Sequence, residues 1–460
     1  MALAAGDAFA DALEDTPSGR AAVRFGLPAL VGLLAGLVSL LRLWLGNHDA
    51  LTQVVWAEDG VFPLCVRKAG FLTCLVDPFA GYLLALPRLV AGVVAALPLS
   101  SWALATNLIA AGLAALACGF AFYWSRRFGL GWLASLVIAL LPVVAPVVGL
   151  EAINALGSSY MLLLYVSTLV LALPVAFDAG ASRTVAIWHW PTVIGIALLL
   201  LVTTLTIPTA GVLILLIAVQ LVRRAIPRRA ALLWVIVIGL GLVAQWWTAA
   251  HAAKPRAIAA SWDSFTGWVN SLPETILTYW PGMQLGSYDF FGVFPVTSLA
   301  WTGALVLLAL VVGGILLVSF GGDHGVSIGL LLLSGVVIGA VPTIIGGSNN
   351  RYFVVPLLLW GAAALIALDP VIRRSRWWIT ALIVALIAVA WSPMFAASWF
   401  RTMPAPPWQD EVTRIENSCK ADPGKMERII FSPYWPPNWG DALSEPTHPD
   451  ISCLEVWKWQ

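Results

Sequence analysis

Long apolar runs separated by short polar stretches dominate the chain, and several, such as the one from Ala304 to Leu317, carry no charge at all. A bilayer-crossing helix needs about 20 mostly apolar residues. A membrane β-barrel would instead alternate apolar and polar residues in segments of about ten. The pattern therefore predicts an all-α polytopic membrane protein.

Arginine placement turns these runs into a topology. Short loops rich in arginine stay on the cytoplasmic side, because positive charge resists translocation, so an even number of crossings must separate any two of them. Three clusters stand out: Arg126 with Arg127, then Arg223, Arg224, Arg228 and Arg229, then Arg373, Arg374 and Arg376. Between the first two lie four runs, near Trp132 to Val147, Tyr160 to Val175, Thr192 to Ile207 and Ala210 to Leu221. Between the second and third lie four more, near Leu232 to Trp247, Ser298 to Leu317, Ser327 to Ile345 and Phe353 to Leu368. Between Arg24 and Arg126 there are three, Leu27 to Leu45, Gly81 to Pro98 and Trp102 to Tyr123, which is one too many. Gly81 to Pro98 is the shortest and holds Pro87, Arg88 and Pro98. An arginine in mid-span costs about 3 kcal/mol on an insertion scale, so this run is read as interfacial or re-entrant. With Trp378 to Pro393 as the last span, the expectation is about eleven transmembrane helices, the amino terminus inside and the carboxyl terminus outside. The first twenty residues lack the order of a secretory signal, so the first helix is expected to serve as an anchor. The expected divisions are a cytoplasmic segment 1–26, a transmembrane core 27–395 with outer loops 47–100 and 249–296 that include interfacial helices, and an outer cap 396–460.

Composition agrees with a membrane setting. The 460 residues are 60% hydrophobic and 11% charged, against about half and a quarter in soluble domains. Basic and acidic residues number 25 and 24, so no global field recruits nucleic acid. Only five basic residues are lysine, and alanine, glycine and valine are abundant, a composition that points to a bacterial genome and a bacterial cytoplasmic membrane. Cys65 and Cys74 fall in the first outer loop and Cys419 and Cys453 in the cap, with none in a predicted cytoplasmic loop. An oxidising exterior would pair them. Three connectivities are formally open, and pairing within each segment is expected, closing the cap as a small disulfide-bonded unit. In that cap Ile429-Ile430-Phe431 is expected to form a strand.

Candidate chemistry gathers in the outer loops. The first carries the adjacent acids Glu58 and Asp59 before Gly60, a pair that suits a general base, a cation ligand or a solvated turn. Glu151 is the single charge of Gly149 to Asn154 and reads as an interfacial marker. Lys254 and Arg256 lie outside against the prevailing arginine rule, and suit a phosphate. Arg351-Tyr352 opens a late helix after Gly346-Gly347-Ser348-Asn349-Asn350, which suits either a phosphate site or a snorkelling interfacial arginine. Nucleotide-binding loops, His-Glu-x-x-His and Gly-x-Ser-x-Gly are missing from the sequence, so nucleotide-driven transport and zinc hydrolysis have no support.

With the acid pair after the first helix, Arg88, Glu151 and Asn154 further along, Arg351-Tyr352 and Pro356 in a late helix, and an outer tail, the chain resembles the GT-C superfamily through about Pro393. Members of that superfamily are integral-membrane glycosyltransferases that take sugar from a polyprenyl-phosphate carrier. The resemblance implies inverting transfer from a polyprenyl-phosphate-linked sugar to a glycan or glycolipid acceptor of the cell envelope. Asp59 would be the base, and Glu58 would support it or bind acceptor. Arg351, Arg88, Lys254 and Arg256, with Tyr352, would hold the donor phosphate, and Glu151 and Asn154 the acceptor. No cofactor is required on this reading, although two carboxylates also suit a divalent ion. The short tail departs from members with a large carbohydrate-binding domain. A transporter or flippase of lipid-linked sugars is the alternative. Such proteins tend to show internal repeats and midplane polar groups, whereas here no repeat is visible and the ionisable residues sit at the ends of spans.

Overall fold

In a computed structural model of the chain, the described residues are 25–79, 81–144, 155–174, 188–251, 312–316, 318–319, 324–346, 354–374, 406–431 and 450–456. Their main helices, in chain order, are α1 (Leu27–Gly46), α2 (Ala57–Ala69), α3 (Phe71–Val76), α4 (Ala85–Ala95), α5 (Trp102–Arg127), α6 (Trp132–Val144) and α7 (Tyr160–Ala172). These are followed by α8 (Trp190–Thr206), α9 (Val212–Val222), α10 (Arg228–His251), α11 (Gly325–Gly346), α12 (Val354–Arg374) and α13 (Trp408–Ala421). Helix positions match the apolar runs closely, as α1 does the run from Leu27 to Leu45. The count of eleven spans is not reached: among the described residues four helices, α1, α5, α10 and α12, are long and apolar enough to cross a membrane. Helices α6 and α7 have 13 residues each, about 20 Å at 1.5 Å per residue, and their flanks 145–154 and 175–187 lie outside the described residues. So do the last expected span, Trp378 to Pro393, and most of the one near Ser298 to Leu317.

Small residues let the first spans meet. Gly32 and Gly119 face each other across α1 and α5, and a Cβ at Gly32 would stand 2.6 Å from the Ala115 carbonyl oxygen. Close backbone approach of this kind is how helices pack where lipid removes the hydrophobic drive. Arg42 of α1 points inward, fully buried, and its Nη1 donates to the Val143 carbonyl at 2.6 Å. At the opposite end of the bundle Asp369 of α12 accepts the Gly131 N–H at 3.1 Å and pairs with Arg373 at 2.7 Å, tying α12 to the start of α6.

The segment 47–100, expected from sequence to be an outer loop with interfacial helices, is largely helical. Its run from Gly81 to Pro98 contains only the 11 residues of α4 as helix, about 16 Å, roughly half the hydrocarbon thickness. The non-helical backbone before α4 is satisfied by protein. The Gln245 side chain of α10 accepts the Leu83 N–H at 2.9 Å and donates to the Leu83 carbonyl at 3.2 Å, with a further bond to the Thr204 carbonyl at 3.0 Å. Thr206 Oγ1 accepts the Leu86 N–H at 3.1 Å. Irregular backbone among membrane helices survives only where such partners exist.

The carboxyl-terminal residues build a small cap of α13 and a two-stranded antiparallel sheet, β1 (Met426–Arg428) and β2 (Asp450–Ser452), with Glu427 opposite Ile451. The strand expected at Ile429-Ile430-Phe431 is displaced to Met426–Arg428. The reason is that the Ile430 N–H is taken by Glu411 Oε1 at 2.9 Å, while Ile429 and Phe431 turn their side chains into the core.

Replacing Gln245 with leucine strands the Leu83 N–H and carbonyl together. The cost expected is about 2 kcal/mol or more, read as a lower thermal unfolding midpoint of the purified protein in detergent; an unchanged midpoint would contradict the tether.

Candidate functional site

The acid pair opens α2. Trp56 caps this helix in an extended conformation, and its carbonyl accepts the N–H groups of Asp59 at 2.7 Å and Gly60 at 3.3 Å. Glu58 and Asp59 therefore lie in a first helical turn, where the helix dipole favours negative charge; the solvated turn, the other reading open from sequence, is not what forms. Asp59 is 1% exposed. Its Oδ1 accepts the Gly157 backbone N–H at 2.8 Å, which ties α2 to the turn preceding α7, and Trp56 packs on Ala155 beside it. The Glu58 side chain lies outside what is described.

Helix α2 is wedged between two cores. Phe62 enters the core of the helical bundle, while Leu64 enters a second core built from Val94, Leu99 and Trp102 together with Trp408, Ile415, Phe431 and Ile451 of the cap. The cap is fixed there by polar contacts as well: Trp408 Nε1 donates to the Leu99 carbonyl at 2.9 Å, Gln409 Nε2 donates to the Ser100 carbonyl at 2.8 Å, and Lys68 reaches the Asp450 carbonyl. Disulfides join Cys65 to Cys74 and Cys419 to Cys453, the pairing within segments that the sequence predicts.

Two residues from Gly157, Ser159 lines an apolar cavity of about 610 Å³ between α5, α7 and α8. Its walls include Leu86, Leu116, Phe120, Tyr123, Leu163, Val166 and Leu199. The buried carboxylate is thus linked through the Gly157 to Ser159 turn to a hydrocarbon-lined space. Among the described residues no three His, Cys, Asp or Glu side chains converge as a cation site would need.

The other expected site residues divide plainly. Arg88 is 2% exposed: it donates to the Cys74 carbonyl, stands 3.9 Å from Asp77, and lies over the Phe62 ring at 5.2 Å. Lys254, Arg256, Glu151, Asn154, Arg351 and Tyr352 lie outside the described residues, while Pro356 is buried in α12. Gly157 and Phe431 were not singled out for the site by sequence. A backbone N–H carries no side-chain signature, and the Ile429-Ile430-Phe431 run signalled burial without a partner.

No protein-family model and no curated protein sequence matches the chain. Among solved structures it is similar to an archaeal oligosaccharyltransferase, AglB from Archaeoglobus fulgidus, determined in complex with an inhibitory peptide and a dolichol-phosphate. The similarity has a TM-score of 0.47 at 11% sequence identity and covers 85% of this chain. The chain spans 58% of the length of that structure.

Charge holds the cap together. Arg414 bonds Glu411 at 2.9 Å and Glu427 at 2.8 Å, and Lys425 pairs with Glu427 at 2.6 Å. The hydrogen bond from Lys425, with those from Ser418 and Arg414, holds Glu427 down at about 2, below its ordinary 4.5. A carboxylate depressed by folding contributes stability that is complete above its unfolded value and is lost as pH falls towards the folded one. The cap is therefore expected to become protease-sensitive between about pH 4.5 and pH 2, and Glu427→Gln should flatten that dependence. Equal acid sensitivity in the two proteins would show that this cluster is not the cause.

Proposed function

We propose that the protein is an integral-membrane glycosyltransferase of GT-C type, moving a sugar from a polyprenyl-phosphate carrier to an extracytoplasmic acceptor. The observation that carries this reading is the buried Asp59 carboxylate, held by the Gly157 N–H at 2.8 Å, with Ser159, two residues further on, lining an apolar cavity of about 610 Å³. A prenyl chain needs such a hydrocarbon slot, and a sugar transferred at its head needs a base beside it.

In the proposed reaction Asp59 takes the proton from an acceptor hydroxyl as its oxygen attacks the anomeric carbon. The polyprenyl phosphate departs from the opposite face with the bonding electrons, inverting the centre. A phosphate monoester leaves without a general acid and requires charge stabilisation instead. Arg351, Lys254 and Arg256, with Tyr352, supply it in this proposal. Arg88 is left to brace the loop, because its guanidinium already serves Cys74, Asp77 and Phe62. Glu58 supports the base or orients acceptor, with Glu151 and Asn154 on the acceptor side. The eleven-span topology would put Asp59 and the cap on the extracytoplasmic face of a bacterial inner membrane.

The test is Asp59→Asn in a deletion strain of the source organism. Membranes of that strain supply acceptor, polyprenyl-phosphate hexoses and pentoses serve as donors, and mass spectrometry follows the envelope product that the strain lacks. Loss of a general base should lower turnover by about 10² to 10⁴. Near-normal turnover by a correctly folded variant would overturn the assignment, and a deletion strain that accumulates donor on the cytoplasmic side only would favour a flippase.

A further inference from the structure

Gly60 is the fourth residue of α2, an interior helical position where glycine is disfavoured relative to alanine. The cap explains it. A Cβ built on Gly60 would overlap the ring of Phe431. That ring has nowhere to go: Phe431 is 1% exposed and stacks on Trp408 at 5.7 Å, and Trp408 stacks on Trp102 at 6.3 Å. The stack ends on the guanidinium of Arg67, 5.6 Å over Trp102, whose Nε is anchored to the Ala95 carbonyl at 2.6 Å. Both ends of this column, Gly60 and Arg67, belong to α2; the cap touches that helix directly at its acidic end through Phe431 and near its far end through the bond from Lys68 to the Asp450 carbonyl.

We propose that Phe431 is a positioning residue for Asp59, setting the first turn of α2 by contact of its ring with the Gly60 backbone. The proposal rests on Asp59 being the base. Asp59 and Gly60 share the Trp56 carbonyl as acceptor, so displacing Gly60 displaces Asp59 and strains its 2.8 Å bond to the Gly157 N–H. A proton acceptor must stand within hydrogen-bond reach of the reacting hydroxyl, and a misplacement of about 1 Å can cost about 100-fold in rate. The cap is thereby part of the catalytic apparatus.

The experiment is a double-substitution cycle on the full-length protein, assayed with polyprenyl-phosphate hexoses and pentoses and deletion-strain membranes. G60A should lower kcat by about 10- to 100-fold with donor KM within twofold of wild type. F431A should lower kcat less, because the turn loosens without being pushed. G60A/F431A should recover to the level of F431A, since the vacated ring space accepts the new methyl group. Such suppression distinguishes a positioning contact from general loss of structure, which two substitutions would deepen. Protease resistance of the cap in each variant confirms folding. G60A turning over as wild type, or G60A/F431A falling below G60A, would overturn the proposal. D59N in the same assay separates the two readings: an inactive D59N with no suppression at Gly60 removes the positioning role alone, whereas an active D59N removes the base and this proposal with it.

Discussion

The acidic end of α2 depends on one apolar core shared by two segments far apart in sequence. Alone, α2 has little to hold it: 13 residues, Pro63 within them, and a mean hydropathy far below that of the spans. Helices of that length are marginal in isolation. The described part of the cap is equally slight, a 14-residue helix, two three-residue strands and a helix Cys453–Val456, and small units of that kind lean on disulfides and docking. Packing Phe431, Trp408 and Ile415 against Leu64, Leu99 and Trp102 supplies both with a core. The same packing brings the ring of Phe431 onto Gly60, next to the carboxylate.

A second constraint comes from the membrane. Segment 81–84 leaves helical geometry before α4, and each freed backbone group among apolar helices must find a partner. Gln245 and Thr206 provide them. This seats α4 against the bundle and places Leu86 in the wall of the cavity between α5, α7 and α8. The Gly157 to Ser159 turn then joins cavity and carboxylate, Gly157 holding Asp59 and Ser159 lining the space.

The helical bundle was largely legible in the sequence because lipid demands long apolar runs, and α1, α5 and α8 begin within two residues of the runs that predicted them. Span counting was weaker: apolarity does not say where a helix stops, and α7 is helical over 13 residues where a longer span was expected. Interfacial helices were expected in the first outer loop, but α2 itself was not placed, since it is too polar and too interrupted to stand out. Scarcity of charge made Asp59 visible, and cysteine placement made both disulfides visible. Its Gly157 partner and the Phe431 contact were not, because a backbone donor and a contact across most of the chain leave no local pattern. Arg88 was visible as an arginine in an apolar segment, but its contacts with Cys74, Asp77 and Phe62 were not, because they join positions with no local pattern.

The central claim is that the cavity lined by Ser159 between α5, α7 and α8 takes the hydrocarbon chain of a phosphate-linked sugar donor. Photolabelling with a diazirine-bearing polyprenyl phosphate, followed by peptide mapping, tests it directly. Labels should fall on Phe120, Tyr123 and Trp124 of α5 and Leu162, Leu163 and Val166 of α7, be displaced by unlabelled polyprenyl-phosphate sugar, and vanish when Leu163→Trp fills the space. Labelling spread over exposed apolar residues such as Leu232 and Leu240 of α10, insensitive to competitor and to Leu163→Trp, would contradict the account.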